Sequence, residues 1–198
     1  MELAPSTPNT ATATLVKWAQ WIGLSAAGVS FAWLVSGAFP RQAVTLLVLL
    51  GGTTGGIAQY LYFRPLRRAS LWIAPAILTS PCLGLATLAM VYPPQFAPPL
   101  EARIAQSSIL LALMALSQYF VLRKWFFRAG VWIPTATIAW LFAFIVVDRL
   151  MHGQRPPFLP DLPGFAVLAL LGAFVGGVYG IITGAVLASL KSRPPSGA

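Results

Sequence analysis

The chain has 198 residues and is 58% hydrophobic but only 9% charged, where a soluble domain carries about a quarter charged residues. That balance excludes both a water-soluble globule and a disordered chain. One cysteine excludes a disulfide framework or a multi-cysteine metal site, and one histidine excludes paired-histidine ligation, so no metal or cofactor is expected. The net charge of +9 sits between apolar runs, where membrane topology needs it, and not on a basic patch; the bilayer is the expected partner and nucleic acid is not.

Residues 1–14 are polar and rich in Thr, Pro and Ala, and read as a disordered tail. Six apolar runs follow: Trp18 to Gly37, Gln42 to Phe63, Leu71 to Val91, Ile104 to Leu122, Val131 to Val147 and Phe165 to Leu190. Each lies near the roughly 20 residues that an α-helix needs to cross the hydrocarbon. The fifth is short and borrows the turn from Asp148 to Met151. The first is longer than the apolar core of a cleavable signal and follows a single Lys17, so it reads as a retained span. Residues 191–198 form a short C-terminal tail.

Counting basic residues by connection sets an orientation. Lys17, Arg64, Arg67, Arg68, Arg123, Lys124, Arg128, Lys191 and Arg193 fall on one side; Arg41, Arg103, Arg149 and Arg155 fall on the other with Glu101, Asp148 and Asp161. The positive-inside rule then places both termini in the cytoplasm. The connections at Tyr92–Pro99 and Arg155–Pro160 are proline-rich and read as stiff external links.

The chain also resembles itself. Gln59-Tyr60, Arg64 and Arg68-Ala69-Ser70-Leu71-Trp72-Ile73 return as Gln118-Tyr119, Arg123 and Arg128-Ala129-Gly130-Val131-Trp132-Ile133. A third pair, Trp21-Ile22, opens the first run, and the sixth carries Gly180 and Thr183 where the second carries Gly56 and Gln59. This predicts an all-α integral membrane fold, one six-helix domain over 15–190, built from three hairpins (15–68, 69–128 and 129–190). Two spans per unit give the copies one orientation, a parallel repeat about an axis along the membrane normal.

The string Gly55-Gly56-Ile57-Ala58-Gln59-Tyr60-Leu61, the Arg-Ala-x-x-Trp-Ile junctions and Gly176-Gly177-Val178-Tyr179-Gly180 through Gly184 resemble a group of bacterial multi-pass membrane proteins of uncharacterised activity. Those repeat a Gly-x-x-x-Gly-x-x-Gln helix, a basic turn and a Trp-led helix. The resemblance covers most of the chain beyond residue 15 and implies a bacterial inner-membrane location but no activity. The chain departs from the pattern between Ser107 and Ser117, where Ala and Leu replace the glycines. Mitochondrial-type carriers also have three two-span repeats, but their Pro-x-acid-x-x-base motif is missing from this sequence.

Gly172, Gly176, Gly180 and Gly184 form one bare stripe on the sixth run, and Gly51 with Gly55 and Gly52 with Gly56 form another on the second. In lipid such stripes admit close helix approach, either within the protein, where these two helices are candidates to meet, or at a homo-oligomer or partner seam. Gln59 and Gln118 each lie five residues before a boundary Arg, about 7 Å inside it. They read as interhelical hydrogen-bonding groups or as ligands to a pigment metal or lipid head group. Pro75 and Pro81 interrupt the third run, with Thr79 and Ser80 placed to bond the freed carbonyls; they are hinge candidates. Asp148-Arg149 reads as a boundary anchor in reach of water, Cys82 as a small buried apolar group, and the Trp and Tyr residues as interface belts. No nucleophile with a base and no phosphate loop can be assembled, so an enzyme is not expected. The expected role is a structural or accessory membrane component; the alternatives are a small-solute permease and a lipid- or pigment-binding protein.

Overall fold

The computed structural model describes residues 10–66, 69–91, 98–152 and 163–191. The tail at 1–9, most of both proline-rich links and the C-terminal tail at 192–198 lie outside the described residues. Those described are helical, with no strand among them: α1 (Thr10–Ala38), α2 (Ala43–Leu50), α3 (Thr53–Phe63), α4 (Ile73–Val91), α5 (Leu100–Leu122), α6 (Trp132–His152) and α7 (Gly164–Ser189), with short 3₁₀ turns before α2, α4 and α6. Six segments are long and apolar enough to cross a membrane, from Ala13–Ala38 to Gly164–Ser189, as a multi-pass membrane protein requires. The helix begins at Thr10 and takes in residues 10–14, which the composition placed in the tail. Past Pro8 the segment alternates Thr with Ala and meets no helix breaker before the first apolar turn.

Each span packs on the next in chain order, and the last returns to the first, so the spans close a ring. The α1–α7 seam explains why the ring closes. Side chains added at Gly172, Gly176, Gly180 and Gly184 would run into Ser30 and Trp33, Ser25 and Ala26, Ile22, and Trp18 and Trp21 respectively. As α7 advances, its contacts retreat along α1, so the two helices run antiparallel with their backbones almost touching. The glycine face of the second span instead meets α1, at Gly28 against Gly55, and α4, at Ala76 and Ser80 against Gly56 and Gly52. Both glycine faces thus reach α1, at different residues, and they do not meet each other.

The second span is broken where Gly51 and Gly52 separate α2 from α3, near the middle of Ala43–Phe63. Ser80 of α4 occupies the break. Its hydroxyl accepts from the Gly52 N–H at 3.0 Å and the Thr53 N–H at 3.3 Å, and donates to the Leu49 carbonyl at 2.7 Å. A side chain inserted into the backbone ladder is a recognised cause of a kink. It also meets the demand that no backbone group be left unpaired at membrane depth. Only glycine at 52 admits it, since a Cβ there would stand 2.8 Å from the Ser80 Cα.

Large apolar side chains such as Leu78, Ile109, Ile138 and Phe142 remain outside, as lipid contact requires. Five of the seven tryptophans leave the expected belts: Trp21, Trp33, Trp72, Trp132 and Trp140 are all 4% exposed or less, while Trp18 and Trp125 are half-buried.

Candidate functional site

Trp21, Trp72 and Trp132, the residues that open the three Trp-Ile pairs, converge at one end of the ring. Their ring centroids are 6.4 Å (Trp21–Trp72), 6.1 Å (Trp21–Trp132) and 6.2 Å (Trp72–Trp132) apart, with planes 69–79° from one another. Edge-to-face contact of this kind suits the aromatic quadrupole. Phe63 lies 4.6 Å from Trp72 and 5.5 Å from Trp21, thickening the plug.

The indole N–H groups of the plug need partners in a dry interior. Trp132 Nε1 donates to Gln118 Oε1 at 2.9 Å, and Trp21 Nε1 to Thr183 Oγ1 at 3.0 Å. Each tryptophan thus bonds a polar residue on the span that precedes its own around the ring. By that rule Trp72 belongs with Gln59. Gln59 Nε2 instead donates to Ser25 Oγ at 3.0 Å, and Trp72 Nε1 has no partner among the described residues. The structure places both glutamines in the core, 5% exposed, and on the same small cavity.

That cavity, about 20 Å³, touches all six spans and has room for one water-sized molecule. Gln59, Gln118, Trp140 and Tyr179 are its polar lining; Val29, Leu83 and Met114 are apolar, and the glycines of the broken span form the remaining wall. No carboxylate, amine, guanidinium, imidazole or thiol lines it, so it offers neutral hydrogen bonds and no acid–base pair. Trp140 and Tyr179 stack at 4.6 Å. Tyr179 lies beside Gln59 and Thr183, yet neither its hydroxyl nor Trp140 Nε1 has an atom in hydrogen-bonding geometry among the described residues.

The remaining candidates lie elsewhere. Pro75 sits in the first turn of α4, where the missing N–H costs little, and Pro81 lies inside the helix on an exposed face. Thr79 bonds the Pro75 carbonyl, while Ser80 serves the second span and not the carbonyls of its own helix. Asp148 is not the expected water-facing partner of Arg149. It is 6% exposed and pairs with Arg103, Nη1 to Oδ1 at 2.8 Å, joining α5 to α6, while Arg149 is exposed. Cys82 is half-buried.

Sequence reasoning missed the Trp140–Tyr179 pair, the Ser80 insertion and the Arg103–Asp148 bridge. For Tyr179 a signal existed: it stands four residues before Thr183, one helical turn away on the same face. Comparison with protein-family models, with curated proteins and with solved structures finds no match to this chain.

Proposed function

We propose that the chain is a non-enzymatic multi-pass membrane protein built from three parallel helical hairpins, 15–68, 69–128 and 129–190. Both termini face the cytoplasm of a bacterial inner membrane, and the protein serves as a structural or accessory component of a larger membrane complex or homo-oligomer. Near-equal spacing among Trp21, Trp72 and Trp132 supports the repeat, because a threefold arrangement of hairpins brings equivalent residues to one axis. The nine-to-four division of basic residues supports the orientation.

The observation that carries the accessory reading is the α1–α7 seam. It uses the whole Gly172–Gly184 stripe internally, which makes the bundle a closed, self-supporting unit, and with no charged side chain among the residues lining its central cavity an accessory role is favoured over ion-coupled transport. Purification of the native protein in mild detergent, with mass spectrometry of what accompanies it, tests this. A stoichiometric membrane-protein partner or a defined homo-oligomer is the expected result. A monomer carrying only a stoichiometric small molecule would overturn it.

The central cavity favours a second reading, a permease for a small neutral solute. A broken helix near the membrane middle beside a polar space is a recurring feature of transporter sites. Solute-specific flux into proteoliposomes that Gln118→Leu abolishes would favour it over the accessory role.

A further inference from the structure

We propose that the cavity beneath the tryptophan plug is a binding site for one internal water molecule, held by Tyr179 and Trp140 as donors and by Gln59 as acceptor. The site goes beyond the accessory reading and is expected whether or not the protein engages a partner.

Three observations converge on it. The space, about 20 Å³, matches one water and nothing much larger. Tyr179 and Trp140 both line it and both are more than nine-tenths buried; Trp140 Nε1 has no partner among the described residues, and the Tyr179 hydroxyl, close to Gln59 and Thr183, meets neither in good hydrogen-bonding geometry. A buried donor in a dry interior is ordinarily satisfied by protein or by ordered water. The third observation is directional. Gln59 donates one of its two Nε2 hydrogens to Ser25, and the orientation this fixes keeps its carbonyl Oε1 as an acceptor. A water takes two hydrogen bonds and gives two, so it accepts from the indole and the phenol and donates to Gln59. With no charged side chain on the lining, a neutral occupant is required and an ion is disfavoured.

The cavity exists because the second span presents Gly51, Gly52, Gly55 and Gly56 to it. Close contact with α1 and α4 demands small residues on that span.

A structure of the full chain in lipid nanodiscs, at a resolution that shows ordered water, tests the proposal. A single compact peak is expected about 2.5–3.2 Å from both Tyr179 Oη and Trp140 Nε1. Tyr179→Phe should weaken the peak, and Tyr179→Phe with Trp140→Phe should remove it. A cavity without density in the unaltered protein would overturn the proposal, and that measurement decides even if the double variant fails to fold. Direct bonding of the Tyr179 hydroxyl to Gln59 with the space closed would overturn it too. So would elongated density too large for one water, which would identify a solute in its place.

Discussion

Gln118 and Gln59 stand at corresponding places in the repeated string, but their partners differ in what they would lose. Gln118→Leu strands the buried indole N–H of Trp132, and an unsatisfied buried donor costs about 1–3 kcal/mol. Gln59→Leu strands the Ser25 hydroxyl, which can turn to a carbonyl of its own helix, and removes one acceptor from the proposed water, which keeps its two donors, so the cost should stay at about 1 kcal/mol or less. Thermal unfolding in one detergent should therefore rank Gln118→Leu as clearly the more damaging; equal effects would refute the assigned partners. The Arg103–Asp148 bridge makes a sharper prediction. Asp148→Ala takes this carboxylate from a buried guanidinium and should clearly lower the melting temperature, while adding Arg103→Leu should recover part of the loss. If the double variant is no better than the single one, the pair is not what holds α5 to α6. Neither partner was legible from the sequence. Asp148 has an adjacent Arg149 that satisfies any local reading, and the true partner is 45 positions away.

At the scale of the helices, close seams decide more than polar bonds. Replacing Gly176 and Gly180 by Leu should abolish the fold or sharply lower its melting temperature, because added Cβ atoms meet the α1 backbone at Ala26 and Ile22, 2.8 Å away. Gly177→Leu is the control: its Cβ meets nothing within 4 Å among the described residues, and Leu is the better helix former. Equal damage from both would show that α1 does not lie on that stripe. Ser80→Ala removes the group that fills the break in the second span. It should cost about 1–3 kcal/mol, read by thermal unfolding, because the Gly52 and Thr53 N–H groups lose their acceptor. The six spans were legible because lipid imposes a length and a composition that no other constraint blurs. The break was not. A Gly-Gly pair in an apolar run is compatible with an unbroken helix, and only Ser80, 28 residues later, gives it a reason to open. The tryptophans misled for a related reason. An indole has an apolar body and one donor, which suits an interface belt as well as a core with an acceptor, and Gln118 and Thr183 become acceptors only once the ring closes.

The proposed whole molecule is three hairpins sharing one orientation, with the tryptophan ends in the cytoplasm. The most direct test replaces Cys82 with Ala and then places single cysteines at four positions. Ser70 and Gly130 are exposed beside the junctions that feed Trp72 and Trp132; Glu101 and Gly164 are exposed at the starts of α5 and α7. In intact cells a membrane-impermeant maleimide should label Glu101→Cys and Gly164→Cys, and should reach Ser70→Cys and Gly130→Cys only after permeabilisation. Labelling of Ser70→Cys and Gly130→Cys alone would reverse the orientation. Accessibility of these two from opposite sides of the membrane would contradict the parallel repeat itself.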